Sequence, residues 1–485
     1  MYAIINSKKN TGMIQTIKSI VLLAFIGLLC SCESLLETDP ILSVDSDTAL
    51  ISVEGIEAAT IGCYSYLREV DLYGREYIVN PELMGNSAAH SGRRSNNLAL
   101  SNNQRGYHMG GWRDSYKAIL QINLILQAVE DIETDQEWKD GIAGQLYFLR
   151  ALYFHNLARI YGYDPTAVVS NSDRGTVPLI LDPVNSLEDV KPKERAPIAE
   201  MYAHLYSDLE KAHELLGSGS NGSGPHYATQ GGAAALFTRV ALYNGDYEKV
   251  IEMAEKAIAS GVGRFSSYDS YVADWRTESH PESLFEVEFK IDQNIGVTNS
   301  IRSAFTTRVD GDATLPNGNG DAVVSDELFA LYENDDVRKQ LIMKGLGRAS
   351  DANEMTKFFS RGGAPNLDNV PVIRLSEVYL NRAEAYARIP GGEASALGDV
   401  NLIRERAGLA PIGGLSEEAL LNEILKQRKL ELAFEGHSFF DYKRLGEDIE
   451  KPTGTVIRFT DYRILPRISW REFNANKLLR QNVGY

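Results

Sequence analysis

ATQGGAAALFTRVALYNGDYEKVIEMAEKAI, residues 228–258, is the stretch that decides the fold. Apolar residues recur every three or four positions on both sides of Asn244-Gly245-Asp246, which is the pattern of two helices joined by a tight turn. The small residues at 231–235 let the two helices approach closely. The sequence therefore predicts a helical hairpin in which Tyr247 opens the second helix.

This hairpin resembles one tetratricopeptide repeat, a helix pair of about 34 residues that stacks on its neighbours. Residues 283–289 (SLFEVEF) instead alternate like a strand. Helical spacing recurs in a series of other segments: 53–66, 112–132, 144–161, 197–216, 373–388 with 399–408, and 416–436. We therefore expect a mostly α-helical protein with tetratricopeptide-like repeats, large irregular loops and a little β structure.

Two long segments interrupt the helical pattern, residues 68–110 and 262–370. They are rich in turn-forming and polar residues and show weak periodicity. Irregular insertions of this length inside a folded domain usually carry function. We name them the first and the second decoration and expect a binding site there.

The N-terminal residues have the pattern of a lipoprotein signal peptide. Residues 20–29 form an apolar run behind several lysines, shorter than the about 20 residues that span a membrane. Cys32 follows Ser31, the small residue that a lipoprotein signal peptidase needs, whereas Cys30 follows Leu29. We therefore expect a signal peptide at 1–31, a lipid on Cys32, a tether at 32–50 and a folded domain at 51–485. Either Met1 or Met13 fits as the translation start.

Composition narrows the function classes. The formal net charge of −17 argues against nucleic-acid binding, which needs a basic patch. After signal cleavage only Cys32 and Cys63 remain, so no disulfide framework can form. The sequence contains no HExxH, GxSxG or P-loop motif, and we expect neither an enzyme nor a bound cofactor.

Glu431, Glu435 and His437 could suggest a metal site, because carboxylates and imidazoles are common ligands. Gly436 interrupts the helix between Glu435 and His437, and no second histidine lies at helical spacing. Buried ion pairs from Glu431 or Glu435 to Arg406, Arg428 or Arg444 are the simpler interpretation, so we expect no metal there.

Several longer motifs occur in a fixed order along the chain: WRDSYKAILQINLIL (112–126), RALYFHNLARIYG (150–162), PVIRLSEVYLNRAEAYAR (371–388), QRKLELAFEGHSFFDYKRLG (427–446) and ILPRISWREFNANKL (464–478). In this order they resemble the RagB/SusD family of nutrient-binding outer-membrane lipoproteins, and the resemblance covers nearly the whole mature chain. Ser438, Leu445 and Val483 stand where that family usually has Arg, Trp and Pro.

The resemblance implies a surface-exposed outer-membrane lipoprotein without catalytic activity. Such a protein captures a glycan or oligosaccharide and delivers it to a SusC-like TonB-dependent transporter. Glu33 and Glu37, just after the lipidated cysteine, resemble the surface-export signal of these lipoproteins. Peptide capture is the alternative binding function, and a surface glycosidase is a third that lacks any catalytic signature.

The resemblance also implies that the two decorations bind the ligand. Sugar sites combine aromatic rings with planar polar groups. Arg93 with Arg94 could equally be a solvated pair, and Trp112 matches the scaffold and is expected to be core. Trp275 lies in an irregular polar stretch, DWRTESH, where binding is one of its possible roles. The residues with the required chemistry are Tyr73, Arg75, Asn86, His90, Arg93, Asn96, Trp275, Arg276, Arg302 and Arg308.

Overall fold

The computed structural model describes residues 50–93, 95, 97–218, 224–308, 318–359 and 364–485. The expected signal peptide (1–31), the lipid site Cys32, the tether up to residue 49 and the candidate Asn96 lie outside the described residues. Among the residues that are described, no helix is long and apolar enough to cross a membrane.

Helices form most of the regular structure. In chain order they are α1 Val53–Ser65, α2 Glu76–Met84, α3 Leu98–Ser101, α4 Trp112–Asp131, α5 Gln136–Tyr161, α6 Ile198–Ser218, α7 Gln230–Asn244, α8 Tyr247–Ala259, α9 Tyr271–Asp274, α10 Gly296–Asn299, α11 Ile301–Phe305, α12 Asp326–Leu331, α13 Leu375–Arg388, α14 Glu393–Arg406, α15 Glu417–Glu431, α16 Ser438–Leu445 and α17 Trp470–Ala475.

The strands are short and pair only as two-stranded antiparallel sheets within the described part of the chain, in the combinations β1–β3, β2–β6, β4–β5 and β7–β8. Their bounds are β1 Ala88–His90, β2 Ser283–Val287, β3 Ala322–Val324, β4 Ile342–Lys344, β5 Asn353–Met355, β6 Val370–Arg374, β7 Ile449–Glu450 and β8 Val456–Ile457.

The long helices stack in sequence order. Helix α4 packs on α5, α5 on α6, α6 on α7 and α7 on α8. Helix α8 then packs on α13, although the whole second decoration separates them in the chain, and α13 packs on α14 and α15. This is the repeat scaffold that the sequence predicted, with the second decoration inserted between neighbouring helices.

The α7–α8 hairpin forms where its turn residues predicted it. Helix α7 ends at Asn244, Gly245 adopts a φ of 74°, and Asp246 accepts a hydrogen bond from the backbone N–H of Lys249 at 3.1 Å. A Cβ at Gly232 would lie 2.8 Å from the carbonyl oxygen of Leu284. The absence of a side chain at Gly232 therefore allows β2 to pack closely against α7.

A cluster of buried charges joins the β2–β6 sheet to the last helices. The Arg374 guanidinium lies 2.9 Å from Glu282, 2.8 Å from Glu431 and 2.7 Å from Glu435. Arg406 contacts Glu431 at 2.6 Å, which confirms one of the predicted pairs. Buried ions of opposite sign compensate one another when their hydrogen bonds are satisfied, so the cluster holds sheet and helices in one arrangement.

Two of the expected ion pairs are wrong. Arg428 contacts Asp441 at 2.9 Å, and Arg444 contacts Glu384 at 2.8 Å, because both arginines face helices other than the end of α15. The described residues contain no group of three or more potential metal ligands.

The first decoration is more ordered than the sequence suggested. Helix α2 lies inside it, and residues 77–88 are buried. The Glu82 carboxylate accepts hydrogen bonds from the backbone N–H groups of Gly436 at 2.9 Å and His437 at 3.0 Å. Burial raises the pKa of Glu82 to about 7. The helix escaped prediction because Asn80-Pro81 is a turn signal and its polar residues are satisfied by a segment far away in the chain.

Candidate functional site

The two decorations meet in the β1–β3 sheet. Strand β1 belongs to the first decoration and β3 to the second, with Ala89 opposite Val323. The pairing continues past the strands, where the backbone N–H of Ser91 donates to the carbonyl oxygen of Asp321 at 2.9 Å. Two segments more than two hundred residues apart in the chain therefore form one continuous surface.

Ser325 locks this junction to the start of α12. Its hydroxyl donates to the carbonyl oxygen of Asn86 at 2.8 Å and accepts from the backbone N–H of Leu328 at 3.2 Å, as the N-cap of the helix. Asp326 and Glu327 follow in the first turn, where the helix dipole stabilises negative charge. The junction thus fixes two exposed carboxylates beside the β1–β3 sheet.

A buried carboxylate anchors the opposite wall. Glu354 on β5 accepts hydrogen bonds from the hydroxyl of Thr306 at 2.8 Å and from the hydroxyl and backbone N–H of Thr307 at 2.7 and 2.9 Å. Nearby, Nη1 of Arg93 donates to the carbonyl oxygen of Asn319 at 2.7 Å. These contacts tie the β4–β5 hairpin to the rest of the second decoration and the first decoration to the second.

A polar cavity of about 380 Å³ opens between this sheet and the hairpin. Carboxylate, guanidinium, imidazole and amide groups line it, and all of them can exchange hydrogen bonds with hydroxyl groups. Within the part of the chain that the structure describes, none of its lining residues is Phe, Tyr or Trp, so recognition there depends on hydrogen bonds rather than on ring stacking. Its chemistry-bearing residues are His90, Asp326, Glu327, Arg348, Asp351 and Asn353.

Of the predicted ligand-binding residues, one lines this cavity, and two others contact backbone carbonyl groups of the second decoration. His90 lines it, and its Nδ1 accepts a hydrogen bond from the backbone N–H of Gly92 at 3.1 Å. Arg93 lies at the junction of the decorations, and Nε of Arg308 donates to the carbonyl oxygen of Lys344 at 2.6 Å, at the end of β4. Their role in ligand binding remains a prediction, and of the three only His90 lines the cavity.

The two candidate rings face the interior. Tyr73 is 3 % exposed, and its hydroxyl hydrogen-bonds the Asn156 side-chain amide, whose nitrogen lies 3.0 Å away. Trp275 is 7 % exposed and lies between two cations, with Nζ of Lys357 at 5.0 Å and the Arg374 guanidinium at 5.5 Å from the ring centre. In this arrangement both rings belong to the core, and the expected burial of Trp112 is also observed.

The remaining described candidates hold the decorations together. Oδ1 of Asn86 accepts from Nζ of Lys429 at 2.8 Å, and Nη1 of Arg276 donates to the carbonyl oxygen of Thr356 at 2.7 Å. Arg75 is half-buried, and burial lowers its pKa against the opposing effect of neighbouring carboxylates.

Arg302 is fully buried, and its Nε donates to Oδ1 of Asn366 at 3.0 Å. Burial lowers the pKa of Arg302, whereas Asp368 and Glu354 act to raise it. The two carboxylates therefore offset part of the effect of burial on the charge of Arg302.

Sequence reasoning did not single out the acidic and amide residues of the cavity. Arg348, Asp351 and Asn353 lie in GLGRASDANEM (345–355), which reads only as a turn-rich stretch. Their grouping with His90 depends on the β1–β3 pairing, for which the sequence carries no local signal. The available hint was compositional, since the stretch combines charged and amide residues between two short apolar runs.

Comparisons with known proteins agree with this architecture. Residues 45–242 match a family model described as "Starch-binding associating with outer membrane", and residues 350–464 match a model described as "SusD family". SusD-like protein P2 of Formosa agariphila is 26% identical, with 90% of this chain and 91% of that protein covered. SusD-like protein P25 of the same organism is 25% identical, with 97% of this chain and 99% of that protein covered.

Solved structures share the fold. A SusD superfamily protein from Bacteroides thetaiotaomicron superimposes with a TM-score of 0.78 at 25% identity, covering 89% of this chain and 100% of that one. A laminarin-binding SusD-like protein superimposes with a TM-score of 0.68 at 22% identity, covering 89% of this chain and 99% of that one.

Proposed function

The chain belongs to the SusD family, and on this premise we propose that it is a glycan-binding protein of the cell surface that captures its ligand without cleaving it. The observation that carries the proposal is the cavity at the β1–β3 junction, where both decorations contribute polar side chains. A glycan presents many hydroxyl groups, and the carboxylates, Arg348 and Asn353 offer matching acceptors and donors.

We further propose that a lipid on Cys32 holds the protein in the outer leaflet of the outer membrane and that a SusC-like TonB-dependent transporter receives the glycan. The apolar run 20–29 followed by Ser31-Cys32 supports the anchor. The physical need for a partner is that polysaccharides are too large for passive pores, so a bound glycan must be handed to an energised channel. Recovery of such a transporter with the full-length lipoprotein from detergent-solubilised native membranes is the expected result, and its absence would contradict the partnership.

Isothermal titration calorimetry against a panel of polysaccharides, their oligosaccharides and peptides tests the binding function. Laminarin is the first probe, since one solved protein of this fold binds it. We expect at least one glycan to bind, and no peptide. Product analysis after long incubation should show intact glycan; any turnover, or binding of peptides alone, would contradict the proposal.

Substitution locates the site. We expect His90→Ala combined with Asn353→Ala to weaken glycan binding at least about tenfold, because each removes a hydrogen-bonding group worth about 1 kcal/mol. Asn474→Ala on α17, an exposed amide that does not line the cavity, is the control and should leave affinity unchanged. If the double variant binds as well as the parent while a glycan does bind, the ligand site lies elsewhere.

A further inference from the structure

We propose that the cavity at the β1–β3 junction selects uncharged glycans and excludes those that carry uronate or sulfate groups. The inference rests on the proposed function of the same cavity and adds the charge class of its ligand. It follows from three observations: the contacts that the arginines of the decorations make, the charges that line the cavity, and the net charge of the whole chain.

The arginines of the decorations are the groups that would hold an acidic sugar, since a guanidinium pairs well with carboxylate or sulfate. The structure commits them to the protein itself. Arg93, Arg276 and Arg308 each donate to a backbone carbonyl oxygen, at 2.7, 2.7 and 2.6 Å. Each contact orients the guanidinium group toward the protein's own backbone and occupies at least one of its N–H donors.

Carboxylates lie close to two arginines of the decorations, Arg302 and Arg93, and balance part of their charge. The buried Glu354 and the half-buried Asp368 act electrostatically on Arg302, which is itself fully buried. A Cβ at Gly320 would lie 3.0 Å from Nη1 of Arg93 and 3.1 Å from Oε1 of Glu354, so this guanidinium and this carboxylate flank the same backbone position. Part of the positive charge that the sequence places in the decorations therefore lies beside carboxylates of the protein itself.

The cavity wall carries the opposite sign. Asp326, Glu327 and Asp351 are exposed carboxylates on its lining, and Arg348 is its one arginine or lysine among the described residues. Three carboxylates therefore face one guanidinium group on the lining. A carboxylate accepts hydrogen bonds from sugar hydroxyls, but it repels the carboxylate or sulfate of an acidic sugar at the same distance.

The whole chain adds to this local effect. Its formal net charge of −17 gives a negative potential around the molecule, which lowers the encounter rate with a polyanion. Repulsion of the wrong ligand is a common source of specificity, because selectivity is a difference of affinities. A neutral glycan is repelled neither by the carboxylates of the cavity nor by the negative potential of the whole chain, and it can still form hydrogen bonds with the cavity.

Calorimetry with matched polysaccharide pairs tests the inference. The probes are laminarin with sulfated laminarin, hydroxyethyl cellulose with carboxymethyl cellulose, and pullulan with carboxymethyl pullulan, so that each pair shares a backbone and differs in charge. We expect the neutral member of any pair that binds to bind at least about tenfold more tightly than the acidic one. This ratio should shrink as ionic strength rises from about 0.02 M to about 0.5 M, because salt screens exposed charges.

A charge-neutralised cavity separates local from global repulsion. In the triple variant Asp326→Asn, Glu327→Gln, Asp351→Asn we expect the discrimination against the acidic probe to fall at least about threefold. The matched control is Glu393→Gln, Glu417→Gln, Glu418→Gln, which removes the same charge from exposed positions of α14 and α15. It should leave discrimination nearly unchanged.

The outcomes distinguish this inference from the function on which it rests. Acidic members that bind as tightly as their neutral partners would overturn the charge selection while leaving glycan capture intact. Equal loss of discrimination in the cavity variant and the control would also overturn it, since the cavity would then play no special role. Failure of every glycan, neutral or acidic, to bind would instead overturn the proposed function, and the inference with it.

Discussion

Gly436 shows how a single residue joins the first decoration to the last helices. Its φ is +85°, and a Cβ there would lie 2.2 Å from the carbonyl oxygen of Tyr77 on α2. Gly391 has a similar φ of +78° but nothing within 4 Å of the added atom. A side chain at Gly391 would therefore meet only the strain of a left-handed backbone, whereas a side chain at Gly436 would also clash with α2.

We expect Gly391→Ala to lower the free energy of unfolding by about 1 kcal/mol, because only the backbone conformation is disfavoured. Gly436→Ala should cost about 2–4 kcal/mol, since α2 must also move away from the new methyl group. Urea denaturation followed by circular dichroism measures both values. Equal losses in the two variants would mean that the packing of Gly436 on α2 contributes nothing to stability.

Glu384 gives a second prediction at this scale, about acid stability. It is fully buried, with Arg444 at 2.8 Å and Arg388 at 2.9 Å. Burial raises its pKa, but the arginines outweigh burial and hold the pKa of Glu384 at about 2, below the ordinary 4.5. A carboxyl group with a lowered pKa in the folded state stabilises the fold above about pH 4.5, and that contribution is lost as the pH falls toward 2.

We expect Glu384→Gln to lower the free energy of unfolding at neutral pH by about 3 kcal/mol, the usual cost of breaking a buried ion pair. The variant should also lose less stability than the parent between pH 4.5 and pH 2. Chemical denaturation across this pH range measures both effects. Glu393→Gln, an exposed position on α14, is the control, and a parent and variant with parallel pH profiles would refute the assignment.

Among the secondary-structure elements, α12 depends on a cap that also connects the decorations. The Ser325 hydroxyl caps α12 and donates to the carbonyl oxygen of Asn86, whereas the Ser416 hydroxyl caps α15 by accepting from Ala419 at 3.3 Å. We expect Ser325→Ala and Ser416→Ala each to lower stability by about 1 kcal/mol, as cap removal does. Only Ser325→Ala should also weaken glycan binding, because only that cap positions the cavity wall.

Thermal unfolding and calorimetry on both serine variants provide the measurements. If Ser416→Ala weakened glycan binding as much as Ser325→Ala, the effect would reflect general loss of stability. If neither changed binding, the junction of the decorations would not shape the ligand site.

The elements also show which parts of the structure a sequence can predict. The α7–α8 hairpin was predictable because Asn244-Gly245-Asp246 determines the turn locally and apolar spacing determines both helices. Helix α5 begins at Gln136, eight residues before the predicted start at 144, because residues 136–140 are mostly polar, none of them is buried, and they lack the apolar stripe. The last two residues of β6, 373 and 374, were predicted as the start of a helix. They form a strand instead, because β6 pairs with β2, which lies far away in the sequence.

The candidate site was predictable as a region but not as a set of side chains. Composition marked both decorations, and His90 does line the cavity. The position of Trp275 in the core could not be predicted, because the two cations beside its ring, Lys357 and Arg374, come from different parts of the chain. Such contacts form only after the scaffold has folded, and no local pattern encodes them.

For the whole molecule, the repeat scaffold explains how large decorations can be carried. Each helix of a repeat array contacts mainly its neighbours, so an insertion between two of them disturbs only one interface. Here α8 packs on α13 as if the residues between them were absent. The scaffold can therefore support a ligand site whose loops vary, while its own packing stays fixed by α4–α8 and α13–α15.

The anchor is the last property of the whole molecule that can be tested. We expect Cys32→Ala to shift the protein from the membrane fraction to the soluble fraction, because several acyl chains contribute about 0.8 kcal/mol for each buried CH₂ and a protein without them has no comparable affinity. Glycan affinity should be unchanged, since the cavity residues lie between 89 and 452, far from Cys32 in the chain. Cys63→Ala is the matched control: Cys63 is fully buried on α1, and its removal should leave the protein in the membrane fraction. Protease added to whole cells should degrade the anchored parent protein, and protection of the parent would show that the anchor faces the periplasm instead of the surface.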